Sequence, residues 1–355
     1  MLGGSHGSNT AEAISGAFWG RFGQDWKPDA IFAIEDVTGL LARMGGKPSG
    51  EWGSIPIYHY IPIEGDNLPP LWRPLFDLVR PVAMSQYGQG VLQAFTGKTV
   101  PLVYHGVDTE TFRPASVSDP LIVDGRRLSS KIACREAFGI DAKRNLILRS
   151  DALVTRKFYD RFVTAMRDVL LASPETDVLM HTTPIRDGQD LYQELLRLPE
   201  ELRGRIRMTG MHDTWRGLSE VELVALINAA DVYVSTTGGE GFGLNLAEAA
   251  ACEVPVVVTD WAASAEVVGP GGIAVAPLHD SYGEPVRYHS EYGMDWAVPD
   301  PRAFLEPTLT LLNKPTRRRS MGADGRRHVV KHFSWDAAAT SFLRMFEEPD
   351  ASLAA

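Results

Sequence analysis

Two carboxylates, Glu240 and Glu248, bracket the tight glycine-rich stretch Gly238-Gly239-Glu240-Gly241-Phe242-Gly243-Leu244-Asn245-Leu246-Ala247-Glu248. Carboxylates accept hydrogen bonds in pairs, which is how proteins hold vicinal diols. The glycines let backbone N–H groups approach a ligand closely. The stretch then enters an alanine-rich helical run. A helix start offers unpaired donors and a positive dipole end, suited to a phosphate or to an ester being cleaved. Phosphate-binding donors combined with two diol acceptors are what a nucleotide-sugar requires.

Elements must hold these residues in place. An apolar run over 231–235 precedes the glycines and predicts a strand, with a helix from 246 to 251 behind them. The same alternation runs through the second half, with strands expected at 145–148, 177–180, 205–208, 231–235, 254–259 and 272–276 and helical patterns at 160–171 and 219–229. The first part reads alike, with strands at 30–34, 56–61, 79–84 and 100–104 and a helix at 86–95. Such alternation implies parallel sheets covered by helices, with ligands at the carboxyl ends of the strands. A polar segment, 115–144, reads as a linker between domains at 1–114 and 145–333. The stretch 334–355 reads as a terminal amphipathic helix.

The chain has 355 residues, enough for two α/β domains, with 44% hydrophobic and 23% charged residues, so it is expected to be globular. Its net charge of −10 argues against a broad nucleic-acid-binding face, which needs clustered Lys and Arg. The apolar runs are too short for a transmembrane segment, and the start does not read as a signal peptide. Cys134 and Cys252 lie far apart without metal-ligand spacing, so a reduced, cytoplasmic setting is expected. Asp-x-Asp, the element suited to hold a divalent ion on a diphosphate, is missing from the loops.

Glu240-Gly241-Phe242-Gly243-Leu244, then Glu248-Ala249, then Val254-Pro255-Val256-Val257-Val258 resembles the donor-site signature of retaining glycosyltransferases of family 4. The resemblance covers most of the chain and is strongest over 219–277. It implies the GT-B fold, an α/β architecture of two Rossmann-like domains facing across a deep cleft, with the last helix crossing back onto the first domain. It implies metal-independent transfer of a hexosyl unit from a UDP- or GDP-sugar to a hydroxyl, with retention and without a bound cofactor. The acceptor classes left open are a glycan, a lipid-linked glycan and a small molecule.

The resemblance also implies residue roles. Glu248 holds the ribose, and Glu240 a sugar hydroxyl. The amides of Phe242, Gly243 and Leu244 hold the sugar and the phosphate edge. Lys157, partnered by Arg149 or Arg156, stabilises the departing diphosphate. Gly4, in Gly3-Gly4-Ser5-His6-Gly7, resembles the diphosphate loop after the first strand of relatives, although only Met1-Leu2 precede it, so the first domain reads as short. At the reacting centre, either His59 or Glu64 matches the residue at the end of an early strand. Tyr104-His105-Gly106-Val107-Asp108 resembles the turn closing the first domain. Rival readings are a nucleotide-sugar epimerase of the same fold, a non-catalytic nucleotide-sugar binding module and, weakest, a Rossmann dehydrogenase. The last lacks a Gly-x-Gly-x-x-Gly unit with its acidic partner.

Overall fold

The computed structural model describes residues 28–37, 39, 55–209 and 217–347. The first domain is built on three parallel strands, β1 (Ile31–Ile34), β2 (Ile57–Ile61) and β3 (Arg80–Ala83), with β2 central. Helix α1 (Gln86–Thr96) follows β3, and Ser85 caps it by accepting from the Gly88 amide at 3.0 Å. The apolar run at 100–104 does not become a fourth strand. It touches β3 through a single bridge, Ala83 to Leu102, and Pro101 beside it has no N–H to extend the ladder.

The second domain carries six parallel strands. These are β4 (Asn145–Ser150), β5 (Thr176–His181), β6 (Ile206–Met208), β7 (Val232–Ser235), β8 (Val256–Thr259) and β9 (Gly272–Val275), in the order β6-β5-β4-β7-β8-β9. All six fall on the expected apolar runs. Near-continuous Val, Ile and Leu suits strands covered on both faces. Helix α2 (Tyr159–Ala172) buries Phe162, Met166, Val169 and Leu170 on one side, and α3 (Glu220–Ala229) starts with a capping box between Ser219 and Glu222. Helix α4 (Leu244–Ala251) buries Ala247, Ala249, Ala250 and Ala251, and α5 (Ser264–Val268) follows β8.

The segment 115–144 is not a bare linker. It forms a small hairpin, Leu121–Val123 with Arg126–Leu128, and a helix, Lys131–Ala137. Leu121, Leu128 and Cys134 join the core of the second domain. Asp231, at the foot of β7, fixes that helix by pairing with Arg135 at 2.5 Å and Lys131 at 3.0 Å. Its carboxyl is pushed up by burial, but Lys131, Arg135 and Arg318 override this and hold it below the usual range. The composition of the segment is polar, yet its few apolar residues sit at the spacing that packing needs.

Several contacts join the domains. Glu266 of α5 accepts the amides of Gln86 and Tyr87 at 3.0 and 3.3 Å, placing a negative charge at the start of α1. A hairpin of β10 (Arg287–His289) and β11 (Asp295–Ala297) reaches the first domain, where Asp66 and Asp295 exchange backbone hydrogen bonds and Arg287 pairs with Asp66 at 2.9 Å. After α6 (Pro315–Phe333), α7 (Trp335–Glu347) lays Phe342 and Phe346 edge-on against Phe32, Tyr58 and Tyr60 of the first sheet. In the basic run of α6, Arg318 and Arg326 bond backbone carbonyls, whereas Arg317, Arg319, Arg327 and Lys331 are exposed. Among the described residues, no helix is long and apolar enough to cross a membrane.

Candidate active site

Strands β4 and β7 are neighbours, and the strand order reverses direction between them. Loops leaving two such strands part to opposite sides and open a crevice beyond their carboxyl ends. The two loops here are 151–158 after β4 and 236–243 after β7. They bring the basic pair Arg156-Lys157 to the glycine-rich stretch.

Lys157 Nζ donates to Glu240 Oε1 at 2.5 Å and to Asp151 Oδ1 at 2.6 Å. Arg156 spans the cleft, with Nη1 2.9 Å from Glu240 Oε2 and Nη2 3.0 Å from Glu64 Oε1 of the first domain. Asp151 also accepts from Ser235 at 3.1 Å and from Asn245 at 3.0 Å. Burial pushes the Glu240 carboxyl up, but Arg156 and Lys157 together prevail and hold it well below the ordinary range. The Glu64 carboxyl is raised: burial outweighs the pull of Arg156, and Glu240 adds to the rise.

Two of the glycines also serve the contact between the domains. A Cβ on Gly239 would lie 1.8 Å from the Glu64 carbonyl oxygen, and one on Gly241 would lie 2.5 Å from Pro62 Cβ. Their bareness lets the loop after β7 touch the first domain. Gly243 adopts φ +99° and turns the chain into α4, whose first N–H groups have no partner within the helix. The ring of Phe242 is buried, 5.7 Å from His105 and 5.2 Å from Phe333.

A cavity of about 370 Å³ opens there, within the range of small-molecule sites. Pro62, Glu64, Met84 and His105 line it from the first domain, and Asp151, Ala152, Arg156, Lys157 and residues 240–246 from the second. His105 is held by a 2.8 Å hydrogen bond between Nδ1 and the Gly106 carbonyl.

Of the expected residues, Glu240, Lys157, Arg156, Phe242, Gly243 and Leu244 come together at this cavity. Arg149 does not. It is wholly buried, its guanidinium 3.9 Å above the Tyr159 ring, and it donates to Thr236 Oγ1 at 2.5 Å and to the Lys157 carbonyl. It braces the loop that carries Lys157. His59 is likewise buried mid-strand in β2, its Nε2 2.8 Å from the Glu35 carbonyl oxygen, and burial lowers its pKa. Glu64, three residues beyond the end of β2, is the alternative that reaches the crevice. Glu248 lies on α4, half-buried and outside the cavity lining; burial, with Glu220 nearby, pushes its carboxyl up to about 7. Gly4 lies outside the described residues. His181 bonds Thr209 at 2.9 Å and does not line the cavity.

Asp151 and Asn245 were not singled out from the sequence. A signal was available for Asp151, a charged residue directly after an apolar strand, where a parallel sheet meets its ligands. Asn245 carries none, because its role depends on the approach of β4.

Residues 146–285 match the family model described as glycosyl transferases group 1. The chain is 29% identical over 240 residues to a GDP-mannose-dependent monoacylated alpha-(1-6)-phosphatidylinositol monomannoside mannosyltransferase of Corynebacterium glutamicum, covering 65% of this chain and 51% of the relative. It is 29% identical over 256 residues to a D-inositol 3-phosphate glycosyltransferase of Kineococcus radiotolerans, covering 70% of this chain and 51% of the relative. The chain thus spans about half the length of these curated relatives. Among solved structures, a glycosyltransferase from Rickettsia africae superposes with a TM-score of 0.70 at 15% identity, covering 98% of this chain and 83% of that one. Anabaena HepE in complex with UDP-glucose does so with a TM-score of 0.68 at 16% identity, covering 96% and 82%. At that identity the likeness is one of fold.

Proposed function

We propose, from the premise that this chain belongs to the group 1 glycosyltransferases and has their GT-B fold, that it moves a hexosyl unit from a nucleotide-diphosphate sugar to an acceptor hydroxyl with retention at the anomeric carbon. The observation that carries the reading is the convergence of Arg156 and Lys157 on Glu240 beside the start of α4, in a cavity at the strand-order switch.

Arg156 and Lys157 are the groups for the diphosphate, whose charge grows as it departs. Glu240, still tied to Lys157, accepts a sugar hydroxyl on its remaining lone pairs. The N–H groups of Phe242, Gly243 and Leu244 face the sugar and the phosphate edge. Glu248, whose side chain has no hydrogen-bond partner among the described residues, is the acceptor for the ribose diol. The acceptor oxygen bonds the anomeric carbon as the bond to the phosphate oxygen breaks. The electron pair stays on that oxygen, which takes the acceptor's proton on the same face. This route needs no protein nucleophile. It needs no divalent ion either, because two side-chain cations and a helix start replace it. The acceptor is a hydroxyl of a glycan, a lipid-linked glycan or a small polyol, and the donor nucleotide is UDP or GDP. Cytoplasmic action suits the two free, buried cysteines.

A thermal-shift screen with UDP, GDP and their sugars tests this. A ligand at a hundred times its Kd stabilises the native state by about 2.7 kcal/mol. A rise in melting temperature for one nucleoside diphosphate and its sugar is expected. A flat response to all of them ends the proposal.

A further inference from the structure

The site sets its charges against one another. Arg149, Arg156 and Lys157 stand against Asp151, Glu240 and Glu64. If the proposed function holds, a diphosphate brings about two more negative charges into a half-buried crevice, so one carboxylate must yield its cation. The three are not equally held. Asp151 has Lys157, Ser235 and Asn245, and Glu240 has both Arg156 and Lys157. Among the described residues Glu64 pairs with Arg156 alone, and its side chain keeps 20% of its surface open to the crevice. It is also the carboxylate on the first-domain side, held opposite Glu240 because the Glu64 carbonyl rests against bare Gly239.

We propose that Glu64 is a positioning residue that surrenders Arg156 to the donor's diphosphate and turns its freed carboxylate to the incoming acceptor hydroxyl. The proposal rests on the transferase reading and adds a residue to it. An ionised carboxylate only accepts hydrogen bonds, so a freed Glu64 seeks an O–H donor. Water or an acceptor hydroxyl entering from the first domain supplies one. Glu64 orients that O–H and ends the reaction unprotonated, because the proton leaves on the departing phosphate oxygen.

Calorimetric titration of UDP and GDP into wild type, Glu64→Gln and Arg156→Gln tests the exchange, together with diphosphate release from GDP-mannose and UDP-glucose in water. With the competing carboxylate gone, Glu64→Gln is expected to bind the nucleoside diphosphate about twofold to fivefold more tightly. Its kcat for donor cleavage is expected to fall at least tenfold while KM falls too. A mere tie between domains would give the opposite binding result. Binding equal to or weaker than wild type, or an unchanged kcat, overturns the proposal. Arg156→Gln is expected to weaken binding at least tenfold; wild-type affinity there overturns the exchange even if Glu64→Gln fails to fold. Failure of wild type itself to bind either nucleotide sinks the transferase reading, a result distinct from a silent Glu64.

Discussion

Lys157 Nζ lies 2.5 Å from Glu240 Oε1, joining side chains 83 positions apart in the chain. Both are buried, so the pair is shielded from screening, and each would be costly to leave alone. The contact ties the loop after β4 to the loop after β7 and places a cation beside the carboxylate.

Replacing Lys157 by Met keeps the aliphatic stem and removes the charge. Turnover is expected to fall about a hundredfold or more, the usual cost of losing a group that stabilises a departing anion. Glu240 and Asp151 lose a buried partner, so stability is expected to drop by about 3 kcal/mol, read as a lower melting temperature. A lower melting temperature with normal turnover would reduce Lys157 to a structural tie.

Glu248 makes a pH-dependent contribution. Its folded pKa, about 7, lies above the ordinary 4.5. Its stabilising share is therefore fully present below the unfolded value and is lost as pH rises through about 7. Glu248→Gln is expected to be more stable than wild type by about 1–3 kcal/mol at pH 8, with the two converging near pH 4.5. The ionised carboxylate is the better diol acceptor. Wild-type affinity for a nucleoside diphosphate, compared with Glu248→Gln at each pH, should therefore improve from pH 6 to pH 8. Equal affinities throughout would remove Glu248 from the ribose site.

Gly239→Ala puts a methyl group 1.8 Å from the Glu64 carbonyl oxygen, backbone against backbone. Neither side can rotate away, so the loop and the first domain must separate. A loss of about 1–3 kcal/mol is expected, with reduced turnover because Glu64 and Glu240 move apart. Gly204→Ala, where a Cβ meets nothing within 4 Å, is the control. Equal melting temperatures for the two variants would show that the crevice is not held by this contact.

His59 is expected to stay silent in catalysis. In His59→Gln, kcat should change by less than about threefold. Burial depresses the His59 pKa, so its share of stability is present above the ordinary 6.5 and is lost as pH falls through the folded value. The variant should therefore lose less stability than wild type between pH 7 and pH 5. A large kcat effect at unchanged melting temperature would return His59 to the reacting centre.

Much of the fold was readable along the chain. The four inner strands of the second domain announce themselves as short apolar runs, because strands buried on both faces carry no polar alternation. The hairpin and helix within 115–144 were hidden in polar composition, since Leu121, Leu128 and Cys134 are too sparse to mark a periodic face. The strand expected at 100–104 failed because Pro101 removes a ladder donor.

Residue type and spacing in the sequence determined the site's inventory: a glycine-bounded Glu240, a helix start behind it and a basic pair, Arg156-Lys157, after an apolar strand. Those features depend on neighbours in the chain. Tertiary structure alone decided which side chains face the crevice. Arg149 and His59 lie within strands, where both faces of the sheet are covered, so packing turns them inward. Arg156 and Glu64 lie past strand ends, where the backbone leaves the sheet and side chains of the two domains can meet. Their meeting, and the approach of Gly239 to the Glu64 carbonyl, arise between segments far apart in sequence, which local pattern does not encode.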